Sequence, residues 1–442
     1  MVEKKGSGKM KKNKKRFGVF ALAALTLVST VVLSACGNGS ESKEAGKDKT
    51  ITVLVESGSP AEKIANSTAD AFKKETGYKV VVDSVPYSGM YDKVSAEVKS
   101  KSAAHDVVCL DVLWLSAFEN ALTPLNKSVD DKITSDFLPT LEEGGTLNDK
   151  LLGLPMWINS KVLIYRKDLF EDEKNKTEFN KKYGHDLKVP TTWEEYKECA
   201  EFFTKDDMYG TAVFGMASGD TVCSFLDQAS QAGAKPLVLG KNNEVLVDEK
   251  PYVDALQYLC DLYEKGYAPE ETLSVASTEA QEMFNNGKLA MQLNWSHQYP
   301  AAYELNKNKV GVAPMIGGSA GVAATTGPWY QCVMKNSENQ EAAIEYLKFM
   351  YDNNEKYMTE GSLKIAGRTS VYEKYETQAG DEHLGAVLET LDNEYSQNRP
   401  ATPYWTEIEE VLAKAVQSAL SGKATPKDAL KDAKSEIETI IE

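Results

Sequence analysis

The chain has 442 residues, 42% of them hydrophobic, and a formal net charge of −16. That hydrophobic share supports real cores, and the length suggests two or three domains or one large bilobal body. The acidity argues against a nucleic-acid partner, because phosphates are repelled rather than relieved of their counterions.

The N-terminus is the exception to this acidity. Lys11, Lys12, Lys14, Lys15 and Arg16 precede an uncharged apolar run, Phe17 to Ala35, which closes on Leu33-Ser34-Ala35-Cys36. A basic head, an apolar middle and small residues at the cut make the layout of a secretory signal peptide. The Cys after the cut resembles a bacterial lipobox, in which that residue receives lipid and becomes the mature N-terminus. Residues 1–35 are therefore expected as a lipoprotein signal peptide, starting at Met1 or Met10, with Cys36 lipidated. Each buried acyl CH₂ contributes about 0.8 kcal/mol, so two chains hold where one does not. Residues 36–49 are polar and read as a flexible tether. The expected location is the outer face of the bacterial cell membrane. The first 35 residues carry eight Lys/Arg and one Glu, so the remainder has a net charge of −23.

Strands and helices then alternate. Ile51–Glu56 is β-rich. Ala61–Thr76 is helical, with Ile64, Ala65, Thr68 and Phe72 on one face and Gly77 at its stop. Tyr78–Val85 reads as a strand, Met90–Ser100 as a helix, and Asp106–Leu110 as a short apolar strand ending at Asp111. This alternation implies βαβ units and a mostly parallel sheet. A second unit follows. Lys161–Tyr165 is a strand, and Thr192-Trp193-Glu194-Glu195 is a capping box opening a helix whose Trp193, Tyr196, Ala200 and Phe203 share an inner face. Pro251–Glu264 and Thr278–Asn286 are helical, and Leu289–Leu293, Val310–Pro314 and Tyr330–Met334 are strands. Ser337-Glu338-Asn339-Gln340 is a second capping box, for a helix through Met350. Helices Thr406–Leu420 and Pro426–Ile441 close the chain, the last with Thr425 as N-cap and Pro426 at its first position.

No H-E-x-x-H, P-loop, G-x-S-x-G or G-x-G-x-x-G occurs, and no later apolar run is long enough to span a membrane. His105, His185, His297 and His383 are scattered, which disfavours a metal site, and no cofactor is implied. Cys109, Cys199, Cys223, Cys260 and Cys332 show no C-x-x-C and read as buried thiols, with one bridging pair left open.

Three ordered segments carry a resemblance. The first is Leu154-Pro155-Met156-Trp157 through Leu163-Ile164-Tyr165-Arg166-Lys167-Asp168-Leu169-Phe170 to Val189-Pro190-Thr191-Thr192-Trp193-Glu194-Glu195. The second is Phe284-Asn285-Asn286-Gly287-Lys288-Leu289-Ala290-Met291 with Trp295. The third is Ala342-Ala343-Ile344-Glu345-Tyr346-Leu347-Lys348-Phe349-Met350, then Gly367-Arg368 and a helical tail. In order and spacing the chain resembles the family 1 extracellular solute-binding proteins, the group of the maltose-binding protein. The resemblance implies an α/β, two-lobed periplasmic-binding-protein-like fold, each lobe a mostly parallel sheet flanked by helices, with a helical C-terminal part. The N-lobe is expected at 50–157 and 310–332, and the C-lobe at 158–309 and 333–442. Crossings are expected near 156–161, 309–313 and 332–335. The implied function is capture of a carbohydrate between the lobes, without turnover, and delivery to the permease subunits of an ABC importer by a monomer anchored through Cys36.

A neutral sugar needs aromatic plates for its C–H faces and short polar forks for its hydroxyls. In wound α/β sheets such groups lie beyond strand C-termini. That rule selects Glu56 and Ser57, Tyr87, and Asp111 with Trp114; Asp111 could instead be a helix N-cap, and Trp114 could pack between helices. Gly327-Pro328-Trp329 puts Trp329 beside a crossing, and Trp157 and Asn159 sit on the first one. From the resemblance come Trp295 and Trp405 as stacking rings and Arg368 as a cleft residue, with a salt bridge the alternative for Arg368. Trp193 reads as core. A polyamine or peptide ligand, or a tethered glycosidase with two acids astride a bond, stays open.

Overall fold

The computed structural model describes residues 49–442 except Ala103; the expected signal peptide, the lipidated Cys36 and nearly all of the tether lie outside those residues.

The first lobe is built on a five-stranded sheet, in the order Lys79–Val85, Thr50–Glu56, Val107–Asp111, Trp329–Val333, Leu154–Trp157. The first three pair in parallel, and Trp329–Val333 runs antiparallel to both its neighbours. Val107–Asp111 is buried at every position, as a central strand covered on both faces requires. Helix Pro60–Thr76 covers one face with Ile64, Ala65, Thr68 and Phe72. Ser59 caps its start by accepting from the Glu62 N–H, and Gly77 ends it at φ 80°, where a side chain would be strained. Because one strand is reversed, Trp329 stands at its beginning, opposite Asp111 on one side and Trp157 on the other. The register thus lines up three residues along one edge of the sheet.

The second lobe departs from the expected parallel sheet. Lys161–Arg166 lies between Met291–Trp295 and Val310–Ala313 and is antiparallel to both. Lys161, where the outgoing crossing ends, lies opposite Trp295, the last residue of its strand, so the first end of one strand and the last end of the other sit together at the cavity. Parallel pairing survives there in the isolated bridge of Tyr209 with Leu289.

The lobe boundaries also move. Val310–Ala313 pairs within the second sheet, so 310–313 is neither a crossing nor part of the first lobe. Residues 332–335 do not cross either: Met334 bridges Leu122, and the Lys335 N–H bonds Ala121 O, inside the first lobe. Helix Gln340–Asp352, expected in the second lobe, packs on strands Leu154–Trp157 and Trp329–Val333. The chain passes between lobes at 157–161 and 326–329. It returns to the second lobe before helix His383–Leu391, which packs on strand Lys161–Arg166.

The expected helix caps are partly realised. Thr192 Oγ1 accepts from the Glu195 N–H, and the Glu195 carboxylate reaches back chiefly to the N–H and hydroxyl of Thr191 and also to the Thr192 backbone. The Ser337 box does not form. Ser337 Oγ donates to the buried Asp106 carboxylate, and the helix begins at Gln340. Thr425 caps the last helix, accepting from the Asp428 N–H.

Cys109, Cys199, Cys223, Cys260 and Cys332 are free and buried, so no pair among them bridges. Burial raises the thiols of Cys109, Cys223 and Cys260 to about 12, which makes them unreactive. Among the described residues no helix is long and apolar enough to cross a membrane.

Candidate functional site

Between the two sheets lies a cavity of about 500 Å³, within the range of small-ligand sites. Both lobes line it. Glu56 through Pro60 come from the end of the first strand and the turn into its helix. Trp157 and Asn159 come from the outgoing crossing, and Gly327 and Trp329 from the returning one. The second lobe adds Asp220 at the start of helix Gly219–Gln231, Trp295 at the end of its strand, His297 in the turn that follows, and Arg399. A second cavity of about 590 Å³ shares only Arg399 with the first and holds none of the expected site residues.

Three indoles reach the first cavity by their edges and faces, with 4%, 9% and 8% exposure for Trp157, Trp295 and Trp329. Trp157 and Trp329 stack at 5.7 Å and 28°, the direct result of their register. Trp114 meets Trp329 edge-on at 5.7 Å, and Tyr87 lies against both rings. Trp295 is fixed independently. Its Nε1–H donates to Asp220 Oδ1 at 2.8 Å, and Lys161 Nζ lies 4.4 Å from its ring centre. Lys161 in turn pairs with Asp227 at 2.9 Å, both side chains wholly buried. Asp227 also accepts from the N–H and hydroxyl of Thr325. One carboxylate therefore ties together the second-lobe footings of the 157–161 and 326–329 crossings.

The polar lining is acidic. Arg399 Nη2 donates to both Asp111 oxygens, at 3.0 and 3.2 Å, and its Nε donates to Thr326 O. Asp111 also accepts from the Leu113 N–H and the Tyr87 hydroxyl, so it is at once a cap and a cavity support. Burial, and then the charge of Asp111, raises the Glu56 carboxyl above the ordinary range. Behind Arg399, burial also raises Glu409, against the pull of Arg399 and of the Trp405 Nε1–H. Burial lowers His297 to about 4, so its ring is neutral at pH 7. Asn159 Nδ2 donates to His297 Nδ1 at 2.8 Å, which leaves the proton on Nε2, while Asn159 Oδ1 accepts from Ser296 Oγ.

Of the expected residues, Glu56, Ser57, Trp157, Asn159, Trp295 and Trp329 line this cavity. Tyr87, Asp111 and Trp114 buttress it from behind. Trp405 does not line it; the ring is 3% exposed and holds Glu409. Arg368 stands apart from the cavity, bound to Asp136 at 2.6 Å and lying over Tyr351, which is the salt-bridge alternative. Sequence reasoning missed Asp220, His297 and Arg399. The strand-end rule could have found His297, two residues past Trp295. Nothing local marks Arg399, whose partner lies 288 positions away. Among the described residues no group of three or more His, Cys, Asp or Glu is arranged to hold a metal.

The family model described as bacterial extracellular solute-binding protein matches residues 53–356. A probable ABC transporter-binding protein of Deinococcus radiodurans is 25% identical, over 82% of this chain and 87% of its own length. A maltooligosaccharide ABC transporter solute-binding lipoprotein of Streptococcus pneumoniae is 24% identical, over 97% of this chain and 96% of its own. Among solved structures, maltose-bound MalE3 of T. maritima superposes with a TM-score of 0.72 at 26% identity, covering 88% of this chain and 99% of that one.

Proposed function

Since this chain belongs to the bacterial extracellular solute-binding proteins, we propose that it is a lipid-anchored receptor that captures a sugar or short oligosaccharide and delivers it to an ABC importer. The observation that carries the reading is the cavity itself. Two lobes present three indoles together with carboxylates, an amide and a neutral imidazole. Burying about 40 Å² of sugar face on a ring is worth about 1 kcal/mol at ~25 cal/mol/Å². Each hydroxyl donated to Glu56 or Asp220 adds about 1.5–3 kcal/mol. Three rings and two carboxylates thus supply several kcal/mol, against which the ordering of ligand and lobes must be set.

Capture works by closure about the crossings between the lobes. The closed form must bind sugar better than the open one, because only differential affinity shifts the population. Support for the ligand class comes from the T. maritima neighbour, which holds maltose, and from the pneumococcal relative named for maltooligosaccharide. That relative is also a lipoprotein, which supports anchoring through Cys36. The reading is of binding without turnover. Incubating the protein with oligosaccharides tests both halves: the melting temperature should rise, and chromatography should recover the sugar unchanged. Released monosaccharide would make it a hydrolase instead. Anchoring is tested by acyl labelling in cells, which should mark the wild type and not Cys36→Ser.

A further inference from the structure

The charges around the cavity select among sugars, an inference that rests on the sugar reading above. Two lining side chains are carboxylates, Glu56 and Asp220. Asp220 is met by a neutral donor, the Trp295 indole N–H. Glu56 has a neighbouring negative charge in Asp111. Arg399, the one cation among the described residues of the lining, already donates to both oxygens of Asp111. Lys161, behind Trp295, is likewise spent on Asp227, in a pair with no exposed surface. His297 is neutral, and Glu409, a further carboxylate, lies within reach of the Arg399 charge. Both of these cations are therefore matched, while the carboxylates of Glu56 and Asp220 are left without a cation among the described residues of the lining.

We infer that Glu56 and Asp220 make this site selective for sugars that present only hydroxyl or ammonium donors, and that they exclude uronic acids, sialic acids and sugar phosphates. A neutral ring donates its hydroxyls to the two carboxylates. An acidic ring places a further anion in a partly dehydrated cleft whose described lining has no free cation to receive it, and unpaired charge in such a place is strongly disfavoured. Discrimination of this kind works by repulsion as much as by attraction.

The test is calorimetry at pH 8 with a neutral oligosaccharide that the protein binds and the matched oligosaccharide bearing a terminal uronic acid. The expected result is at least a tenfold weaker constant for the acidic sugar. In Glu56→Gln, and more so in Glu56→Gln with Asp220→Asn, that ratio should shrink even though affinity for the neutral sugar also falls. Equal or tighter binding of the uronate by the wild type overturns the inference and leaves the sugar reading intact. An unchanged ratio in both variants overturns the assignment to these two residues. If sugars of neither kind bind, the sugar reading itself fails and takes this inference with it. Circular dichroism melts confirm that each variant is folded.

Discussion

Trp295 is held before any ligand arrives, by Asp220 at its indole N–H and Lys161 over its ring. A plate fixed in advance loses little entropy on binding. Trp295→Ala should therefore weaken sugar binding by about 30-fold or more, roughly 2 kcal/mol, while the variant still melts cooperatively. Unchanged affinity by calorimetry would remove the ring from the site. Arg399→Met should act differently. It leaves Asp111, 3% exposed, without its cation, and should cost about 3–5 kcal/mol in urea unfolding. Arg368→Ala should leave affinity untouched, because its partner is Asp136. At this scale the sequence was legible where chain position implies place. Glu56 and Ser57 end a strand, and Trp157 and Trp329 sit on crossings. It was silent where a contact joins distant segments, as Arg399 with Asp111 does, and resemblance misplaced Trp405 and Arg368.

Elements are held by polar contacts whose worth can be measured separately. Ser59→Ala should cost about 1 kcal/mol by removing the N-cap of helix Pro60–Thr76. His105 sits between helix Tyr87–Ser100 and strand Lys79–Val85, with Nε2 3.0 Å from Asp83 and Nδ1 on Glu97. Burial opposes its charge, yet the hydrogen bonds and charges of Glu97 and then Asp83 prevail and raise its pKa. The contribution is fully present below the unfolded value of about 6.5 and is lost as pH rises through the raised folded value. Melts of the wild type above pH 6.5 should therefore show a decline that His105→Gln lacks; parallel pH profiles would contradict this. The helices and strands that periodicity named lie within a few residues of the observed ones, since burial of one face leaves a pattern, but helices Glu173–Tyr183, Gly219–Gln231 and His383–Leu391 and strand Leu154–Trp157 escaped it. It could not tell that Ser337 serves Asp106 instead of a helix. Nor could it show that the second sheet is antiparallel, because strand direction depends on where the chain crosses and not on any residue in the strand.

On the scale of the whole molecule, the cavity exists because the chain passes back and forth between two sheets, leaving a gap that residues of both lobes line. The lobe assignment from resemblance was right about the existence of two lobes and wrong about segments 310–313 and 340–352, whose sheet and helix partners only the fold reveals. Closure predicts that saturating sugar compacts the protein or raises its melting temperature, and that Trp295→Ala blunts the effect at equal sugar concentration. The most direct measurement is titration calorimetry of the mature protein against a panel of neutral oligosaccharides, polyamines and peptides, repeated with Trp157, Trp295 and Trp329 each changed to alanine. Saturable binding of one saccharide per chain, weakened by each change, is the predicted result. A polyamine or peptide as the only ligand, or saccharide binding indifferent to all three indoles, would contradict it.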